Sequence, residues 1–136
     1  MVDRPSSLSG YTVAIETGCG TLLVTINEGP TADGKVYKEV MLEMGKSGGC
    51  QACMMEGIGK LLTWAWTSGT AKKNLIRSLR GIQCPNIRVS DGVRTLSCLD
   101  AIAIVLAAGN KPLSSVPAVE TPEEAMVARP TAEIEP

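Results

Sequence analysis

The sequence predicts an α+β domain with a small antiparallel sheet of about three strands followed by about three helices. Residues 11–44 alternate apolar and polar side chains with a period of two, and glycine-rich turns interrupt them. From residue 50 onwards the apolar residues recur at helical spacing instead. Strands therefore precede helices, an order typical of α+β domains and not of alternating βαβ units.

Three strands are predicted from the alternating runs. Residues 11–15 and 22–26 flank Gly18-Cys19-Gly20, which favours two antiparallel strands joined by a tight turn. The run 36–44 places Val36, Val40, Leu42 and Met44 on one face and predicts a third strand.

The first helix is predicted to begin at Cys50 and to end at Ser68-Gly69. Apolar residues at positions 50, 53, 54, 58, 61, 62 and 65 form a single stripe, and we expect this stripe to face the core.

Two further helices are predicted after the first. The second follows Thr70, and its basic residues, Arg80 included, are expected to face solvent. Asp91-Gly92 predicts a turn after it. Ser97 and Asp100 form a capping-box pattern at the start of the third helix.

Charge divides the chain into two parts. Residues 1–112 carry 12 basic and 9 acidic side chains, whereas residues 113–136 carry 1 basic and 5 acidic ones together with four prolines. Such a composition buries too little apolar surface to offset the entropy of ordering the chain. We therefore predict a folded domain over 1–112 and a disordered acidic tail over 113–136.

Composition excludes several classes of function. The chain has 136 residues, a net charge of −1, four aromatic residues and no histidine. DNA binding is not expected, because a global basic field and stacking platforms are missing. Catalysis that depends on histidine is ruled out. The longest apolar run, Ala101 to Ala108, is too short to cross a membrane and no signal pattern is evident, so a cytoplasmic location is expected.

Four cysteines lie at the predicted ends of elements, where side chains from separate segments can converge. Four thiolates satisfy tetrahedral zinc without any other ligand. The pattern alone leaves a second interpretation open, in which these cysteines are small core residues. The candidate metal ligands are Cys19, Cys50, Cys84 and Cys98.

Cys50 and Cys53 also form a CxxC pair at the predicted start of the first helix. Such a pair can act as a redox dithiol. Both positions lie on the apolar stripe of that helix, however, so Cys53 is equally well interpreted as a packing residue.

A second candidate site precedes the same helix. Glycine backbone N–H groups next to a lysine can hold a phosphate group, although the order of residues differs from a Walker A loop. A plain strand-to-helix turn is the alternative. The candidate phosphate-binding residues are Lys46, Ser47, Gly48 and Gly49.

Five ordered motifs resemble the TSCPD domain, found near the C-terminus of cobalamin-dependent ribonucleotide reductases and as short stand-alone proteins, including in phage genomes. The motif that gives the family its name, Thr-Ser-Cys-Pro-Asp, reads Leu96-Ser-Cys-Leu-Asp100 here, with leucine in place of the proline. The motifs are Thr17-Gly-Cys-Gly20, Val24-Thr-Ile-Asn27, Gly45-Lys-Ser-Gly-Gly-Cys50, Gly81-Ile-Gln-Cys-Pro85 and Ser97-Cys-Leu-Asp-Ala-Ile102.

The resemblance ranks the cysteines. The four candidate metal ligands fall on family motif positions, whereas Cys53 does not, which favours a zinc site over a dithiol. The chain lacks the length of a reductase barrel, so it is not expected to be catalytic alone, and cobalamin is expected only through a partner reductase.

The resemblance implies an accessory or regulatory module of deoxyribonucleotide synthesis. Such a module binds a ribonucleotide reductase catalytic subunit, another large protein, or a nucleotide. Two alternatives remain open: a thiol redox donor for ribonucleotide reductase, and a phage protein that captures nucleotides.

Overall fold

The computed structural model describes residues 3–45 and 48–118, and it confirms the α+β architecture. A three-stranded sheet has the order β1-β2-β3, and a short antiparallel hairpin, β4-β5, lies between the second and third helices in the chain. The elements are β1 (Ser9–Thr17), β2 (Gly20–Pro30), β3 (Val36–Glu43), α1 (Cys50–Thr67), α2 (Lys72–Leu79), β4 (Arg88–Ser90), β5 (Val93–Thr95), α3 (Cys98–Ala108) and a 3-10 turn (Leu113–Ser115).

The described residues form two compact units. The first contains the residues before Ile15 and the segment Leu23–Ala71, and therefore includes β3 and α1. The second contains Ile15–Leu22 and the residues from Lys72 onwards, which include α2, α3 and the hairpin. No helix within the described ranges is both long enough and apolar enough to span a bilayer.

In the first unit, α1 runs along the free edge of β3. Strand β2 pairs with β3 in antiparallel register, with Ile26 opposite Val40. On the other edge, the Thr63 hydroxyl accepts from the Val40 N–H at 2.9 Å and donates to the Val40 C=O at 3.2 Å. Thr67 makes the same two contacts with Lys38. Helical threonines thus satisfy the groups that an edge strand leaves unpaired.

This arrangement corrects the predicted orientation of α1. The residues buried on the helix are Met55, Gly59, Leu62 and Thr63, whereas Cys50, Cys53, Met54 and Leu61 of the predicted core stripe are exposed. The physical reason is that α1 lies against the edge of a strand. Thr63 and Thr67 hydrogen-bond to the backbone of that edge, and Gly59 lets the helix approach it closely.

Two glycines of α1 should respond oppositely to alanine. A Cβ on Gly59 would lie 2.9 Å from the Val40 carbonyl oxygen, whereas a Cβ on Gly57 meets nothing within 4 Å. Gly57→Ala should raise the free energy of unfolding by about 0.5–1 kcal/mol, because alanine has a higher helix propensity than glycine. Gly59→Ala should lower it, because overpacking costs about 1–3 kcal/mol. Urea unfolding of both variants measures the difference, and equal effects would contradict this packing.

A charged cluster joins the N-terminal segment to β2 and β3 in the first unit. The Glu39 carboxylate accepts from Arg4 Nε at 2.6 Å and from the Asn27 amide at 3.0 Å. The hydrogen bond from Arg4 holds the pKa of Glu39 below its usual value, against the opposing effect of burial, and Asn27 lowers it further.

The depressed pKa of Glu39 predicts a stability contribution that depends on pH. It is present above the unfolded pKa of about 4.5 and is lost as the pH falls through the lower folded value. Wild-type protein should therefore lose more stability between pH 6 and pH 3 than Glu39→Gln. Urea midpoints at the two pH values measure this. Equal losses in the two proteins would mean that Glu39 is not stabilised in its charged form.

The second unit is built around α3, which is buried on nearly all sides. The predicted N-cap at Ser97 is present, since its side chain accepts from the Asp100 N–H at 3.1 Å, while the Asp100 carboxylate accepts from the N–H of the preceding Leu96 at 3.0 Å. The predicted turn at Asp91-Gly92 is also confirmed, because both residues adopt a positive φ in the β4-β5 hairpin. The buried residues of α3 are Asp100, Ala101, Ile102, Ala103, Ile104, Val105, Leu106 and Ala108.

The prediction that Arg80 faces solvent is wrong. Its side chain is 10% exposed, and its Nη1 lies 3.4 Å from the Asp100 carboxylate. Its Nη2 donates to the carbonyl of Pro117. Of the predicted tail, the structure describes residues 113–118, which include the 3-10 turn, and the remainder lies outside the described residues.

Candidate functional site

Three of the predicted ligand cysteines lie within the second unit. Cys19 is in the turn between β1 and β2, Cys84 follows α2, and Cys98 is the first residue of α3. The fourth, Cys50, opens α1 in the first unit.

Hydrogen bonds tie the three cysteine-bearing segments together. The Cys84 N–H donates to the carbonyl of Leu96 at 2.9 Å, which fixes the loop after α2 against the start of α3. The Thr95 hydroxyl donates to the carbonyl of Glu16 at 3.3 Å, which joins β5 to the end of β1. These two hydrogen bonds thus connect segments that are far apart in sequence.

Polar atoms surround the three sulfur atoms. The Asn86 N–H donates to Cys84 Sγ at 3.4 Å, and the Asn86 side-chain amide lies 3.7 Å from Cys19 Sγ. The Thr17 hydroxyl lies 3.7 Å from Cys98 Sγ. We call this group of three thiols, with Thr17 and Asn86, the thiol centre. N–H groups directed at sulfur are the kind of outer contact that orients and stabilises thiolates.

The thiols of the centre also influence one another. Burial raises the pKa of the Cys98 thiol most, the Thr17 hydroxyl partly opposes this, and the nearby Cys19 and Cys84 raise it further. Neighbouring thiolates repel each other, which disfavours ionisation when no cation is bound.

Gly18 permits the close approach that forms the centre. A Cβ at this position would lie 1.8 Å from the carbonyl oxygen of Asn86. Only glycine can therefore bring the β1-β2 turn, which carries Cys19, this close to the loop that carries Cys84.

All five cysteines are free thiols, and none is fully buried. Cys84 and Cys98 are half-buried, whereas Cys19, Cys50 and Cys53 are exposed. The alternative of small core residues is therefore wrong for Cys19 and Cys50, which are exposed. The interpretation of Cys53 as a packing residue is wrong as well, because its side chain is exposed.

The arrangement of the thiols is not that of a ready metal cage. Among the residues that the structure describes, no group of three or more histidine, cysteine, aspartate or glutamate side chains is placed to hold a metal ion.

Half of the predicted phosphate loop can be described. Gly48 has a φ of 84° and Gly49 precedes the first turn of α1 in an extended conformation. Lys46 and Ser47 lie outside the described residues. The structure therefore does not test the predicted phosphate site.

A groove of about 890 Å³ lies between β3 and α1 in the first unit and reaches Gly45 at one end. Among the described residues that line it, the charged ones are Glu39, Glu43, Glu56 and Lys60. The excess of carboxylates disfavours a phosphate group and favours a cationic or apolar occupant.

Sequence reasoning missed the two polar residues of the thiol centre, Thr17 and Asn86. Each stands two residues from a cysteine, and each makes a hydrogen bond to a neighbouring turn or loop atom. Thr17 accepts from the Cys19 N–H at 3.2 Å, and Asn86 follows a Cys-Pro dipeptide typical of turns. Those turn patterns are the signal that could have identified them.

A family model described as "TSCPD domain" matches residues 2–108, most of the chain. No curated protein and no solved structure matches the chain significantly. The matched range includes every cysteine and the whole thiol centre. The chain therefore belongs to the TSCPD domain family, which links it to proteins related to ribonucleotide reductase.

Proposed function

We propose that this chain is an accessory module of a ribonucleotide reductase system, and that its thiol centre binds zinc. The observation that supports this most is the gathering of Cys19, Cys84 and Cys98 from three segments of one unit. Packing does not explain these cysteines, since none is fully buried.

The donor set suits zinc. Zinc binds thiolates in tetrahedral sites and is not itself redox-active. A bound cation would offset both the burial and the neighbouring thiols that raise the pKa of Cys98, and the Asn86 N–H would then orient Cys84 as an outer contact. In this proposal zinc holds the β1-β2 turn, the loop after α2 and the start of α3 together, and the resulting surface binds a partner.

Zinc content of the purified full chain tests the metal proposal. We expect about one zinc per chain in the wild type, and loss of that zinc in Cys19→Ser, Cys84→Ser and Cys98→Ser. Cys53→Ser is the matched control and should retain zinc. Cys50→Ser tests the prediction that Cys50 is the fourth ligand. Wild-type protein without zinc, or a Cys98→Ser variant with unchanged zinc, would overturn the proposal.

The proposed partner is the catalytic chain of a cobalamin-dependent ribonucleotide reductase. Cobalamin would enter only through that partner, and the reaction would occur there. Calorimetric titration of a purified reductase that lacks its own TSCPD domain should show saturable binding to wild-type protein and weaker binding to Cys98→Ser. Absence of heat with the zinc-loaded chain would remove this partner while leaving the metal proposal intact.

A second candidate function is that of a thiol reductant, and the exposure of both Cys50 and Cys53 in the first turn of α1 favours it. One thiolate would attack a target disulfide to give a mixed disulfide, and the other would displace the target thiol. The pair is thereby oxidised to a disulfide, and the target disulfide is reduced to two thiols.

Cys53→Ser separates the two functions. A dithiol donor loses its ability to support reductase turnover as the sole reductant when Cys53 is replaced, whereas a zinc module keeps its metal. Cys19→Ser is the reverse control, with turnover kept and zinc lost. Turnover that is unchanged in Cys53→Ser would exclude the pair as the reductant.

The predicted phosphate loop gives a third proposal, that the chain captures a nucleotide. Calorimetry against nucleoside di- and triphosphates should then show binding that Lys46→Ala abolishes. The acidic groove beside Gly45 argues against a phosphate within the groove itself, so a binding nucleotide would place its phosphates on the loop.

A further inference from the structure

Positive charge is concentrated in the second unit. Its described residues include seven lysines and arginines but only three acidic side chains, whereas the first unit has five basic and six acidic ones. Residues 119–136, which follow the described part of the second unit, contain five glutamates and one arginine. The chain thus places a basic surface and a strongly acidic segment next to each other.

Helix α2 carries three basic residues, Lys73, Arg77 and Arg80, which we call the basic row. Spacings of four and three residues put them on one side of the helix, and the Arg80 N–H continues the helical pattern by donating to the carbonyl of Ile76. Lys72 lies beside the row in the first turn, which contains no acidic residue to balance the helix dipole. Lys72 and Lys73 are exposed, and neither forms an ion pair with another described residue.

The acidic segment starts at one end of the basic row. The side chain of Arg80, which is buried against Asp100, donates from Nη2 to the carbonyl oxygen of Pro117. The 3-10 turn that precedes Pro117 packs on α3. The chain is therefore held beside the C-terminal end of α2 immediately before its acidic residues begin at Glu120.

The length of the chain allows the next glutamates to reach the other end of the row. Lys73 lies seven residues before Arg80, which is about 10 Å along a helix. Glu123 lies six residues after Pro117, and an extended chain of that length spans about 20 Å. Because Arg80 holds the start of the segment, the glutamates stay at a high local concentration near the lysines.

We propose that residues 119–124 run along the basic row, antiparallel to α2, and cover it with their carboxylates. Single exposed ion pairs are weak, but several pairs on a short tether act together. The predicted disorder of the tail then begins after residue 124. The proposed pairs are Glu120 with Arg77, and Glu123 and Glu124 with Lys72 and Lys73.

The groove of the first unit does not compete for this segment. Its charged residues include three glutamates and a single lysine, and that lysine, Lys60, already pairs with Glu56 at 3.3 Å. Like charges oppose docking of an acidic segment there. Charge complementarity therefore selects α2.

Carbodiimide crosslinking of the full chain tests the pairing, because this reagent joins an amine to a carboxylate only where the two are in contact. In dilute protein at low salt, we expect Lys72 or Lys73 to be joined to Glu123 or Glu124, as located by peptide mass mapping. The yield should fall at least about threefold in about 1 M salt, where the Debye length shrinks to about 3 Å. Mixing isotope-labelled with unlabelled chains distinguishes links within one chain from links between two.

Cleavage by a glutamate-specific protease tests the same contact without a crosslink. Lys72→Gln combined with Lys73→Gln should raise the rate of cleavage after Glu124 at least about threefold and leave cleavage after Glu133 unchanged. Both lysines are exposed and glutamine favours helix, so the variant should fold. Lys35→Gln combined with Lys60→Gln removes two exposed lysines of the first unit and is the matched control, with no change at either site.

A charge swap tests whether attraction between the two segments is the cause. Glutamates at positions 72 and 73 combined with lysines at 123 and 124 should restore the crosslink in the reverse sense. Wild-type protein that gives no link between these positions, or links only between two chains, would overturn the proposal. Cleavage after Glu124 at the wild-type rate in the variant with Lys72→Gln and Lys73→Gln would overturn it as well.

Discussion

Replacing Asp100 with alanine should lower the free energy of unfolding by about 3–5 kcal/mol. Asp100 is 1% exposed. Its carboxylate accepts from the backbone N–H of Gly81 at 2.8 Å and of Leu96 at 3.0 Å, and it lies 3.4 Å from Arg80 Nη1. Its removal leaves two buried backbone donors without their acceptor and takes away the carboxylate that balances the charge of the buried Arg80, and each of these losses is costly.

Urea unfolding of Asp100→Ala, followed by circular dichroism, measures this loss. Asp91→Asn is the matched control, because Asp91 is exposed and asparagine tolerates its φ of 51°. The pair Arg80→Met with Asp100→Leu should be more stable than Asp100→Ala alone, since it removes the unpaired charge. A loss below about 1 kcal/mol in Asp100→Ala would show that the carboxylate is not a structural acceptor.

Replacing Gly18 with alanine should have the second largest effect, on stability and on the thiol centre together. The new Cβ would lie 1.8 Å from the Asn86 carbonyl oxygen and 2.5 Å from its carbon. Backbone atoms cannot rotate away as a flexible side chain can. The β1-β2 turn and the loop after α2 must therefore move apart, at a cost of about 3 kcal/mol.

Unfolding measurements and thiol reactivity test this together. Gly18→Ala should lower the urea midpoint, and it should raise the rate at which a thiol reagent modifies Cys19, which loses its contact with Asn86. Gly57→Ala is the control for a glycine without close neighbours. A Gly18→Ala variant with wild-type stability and wild-type Cys19 reactivity would contradict the close approach of the two segments.

Much of the fold follows from local patterns. Period-two alternation predicts the sheet, the Ser97 and Asp100 pattern predicts the start of α3, and Asp91-Gly92 predicts the hairpin turn. These features depend on residues near one another in sequence, which is why they can be read from it.

The orientation of α1 could not be predicted in that way. Hydrophobic periodicity assumes that the most apolar side of a helix faces its own core. Here the neighbour is the edge of a strand, whose unpaired N–H and C=O groups select Thr63 and Thr67. Leu62 of the predicted stripe is buried, whereas Met54 and Leu61 are left exposed.

The candidate site likewise combines features that follow from local patterns with features that follow from long-range contacts. The ends of elements indicate where Cys19, Cys84 and Cys98 can meet, but the contacts of Arg80 and Asn86 depend on tertiary structure. Arg80 looks like a surface residue of α2 until Asp100, twenty residues away, is placed beside it. Long-range pairing of this kind leaves no periodic signal in one sequence.

X-ray absorption spectroscopy at the zinc edge, on the purified full chain, tests the central claim most directly. The proposal predicts three or four sulfur neighbours at about 2.3 Å from bound zinc, with fewer sulfurs or no zinc in Cys98→Ser. A zinc bound only by oxygen and nitrogen, or a sulfur shell that survives the loss of Cys98, would show that the gathered thiols are not a metal site.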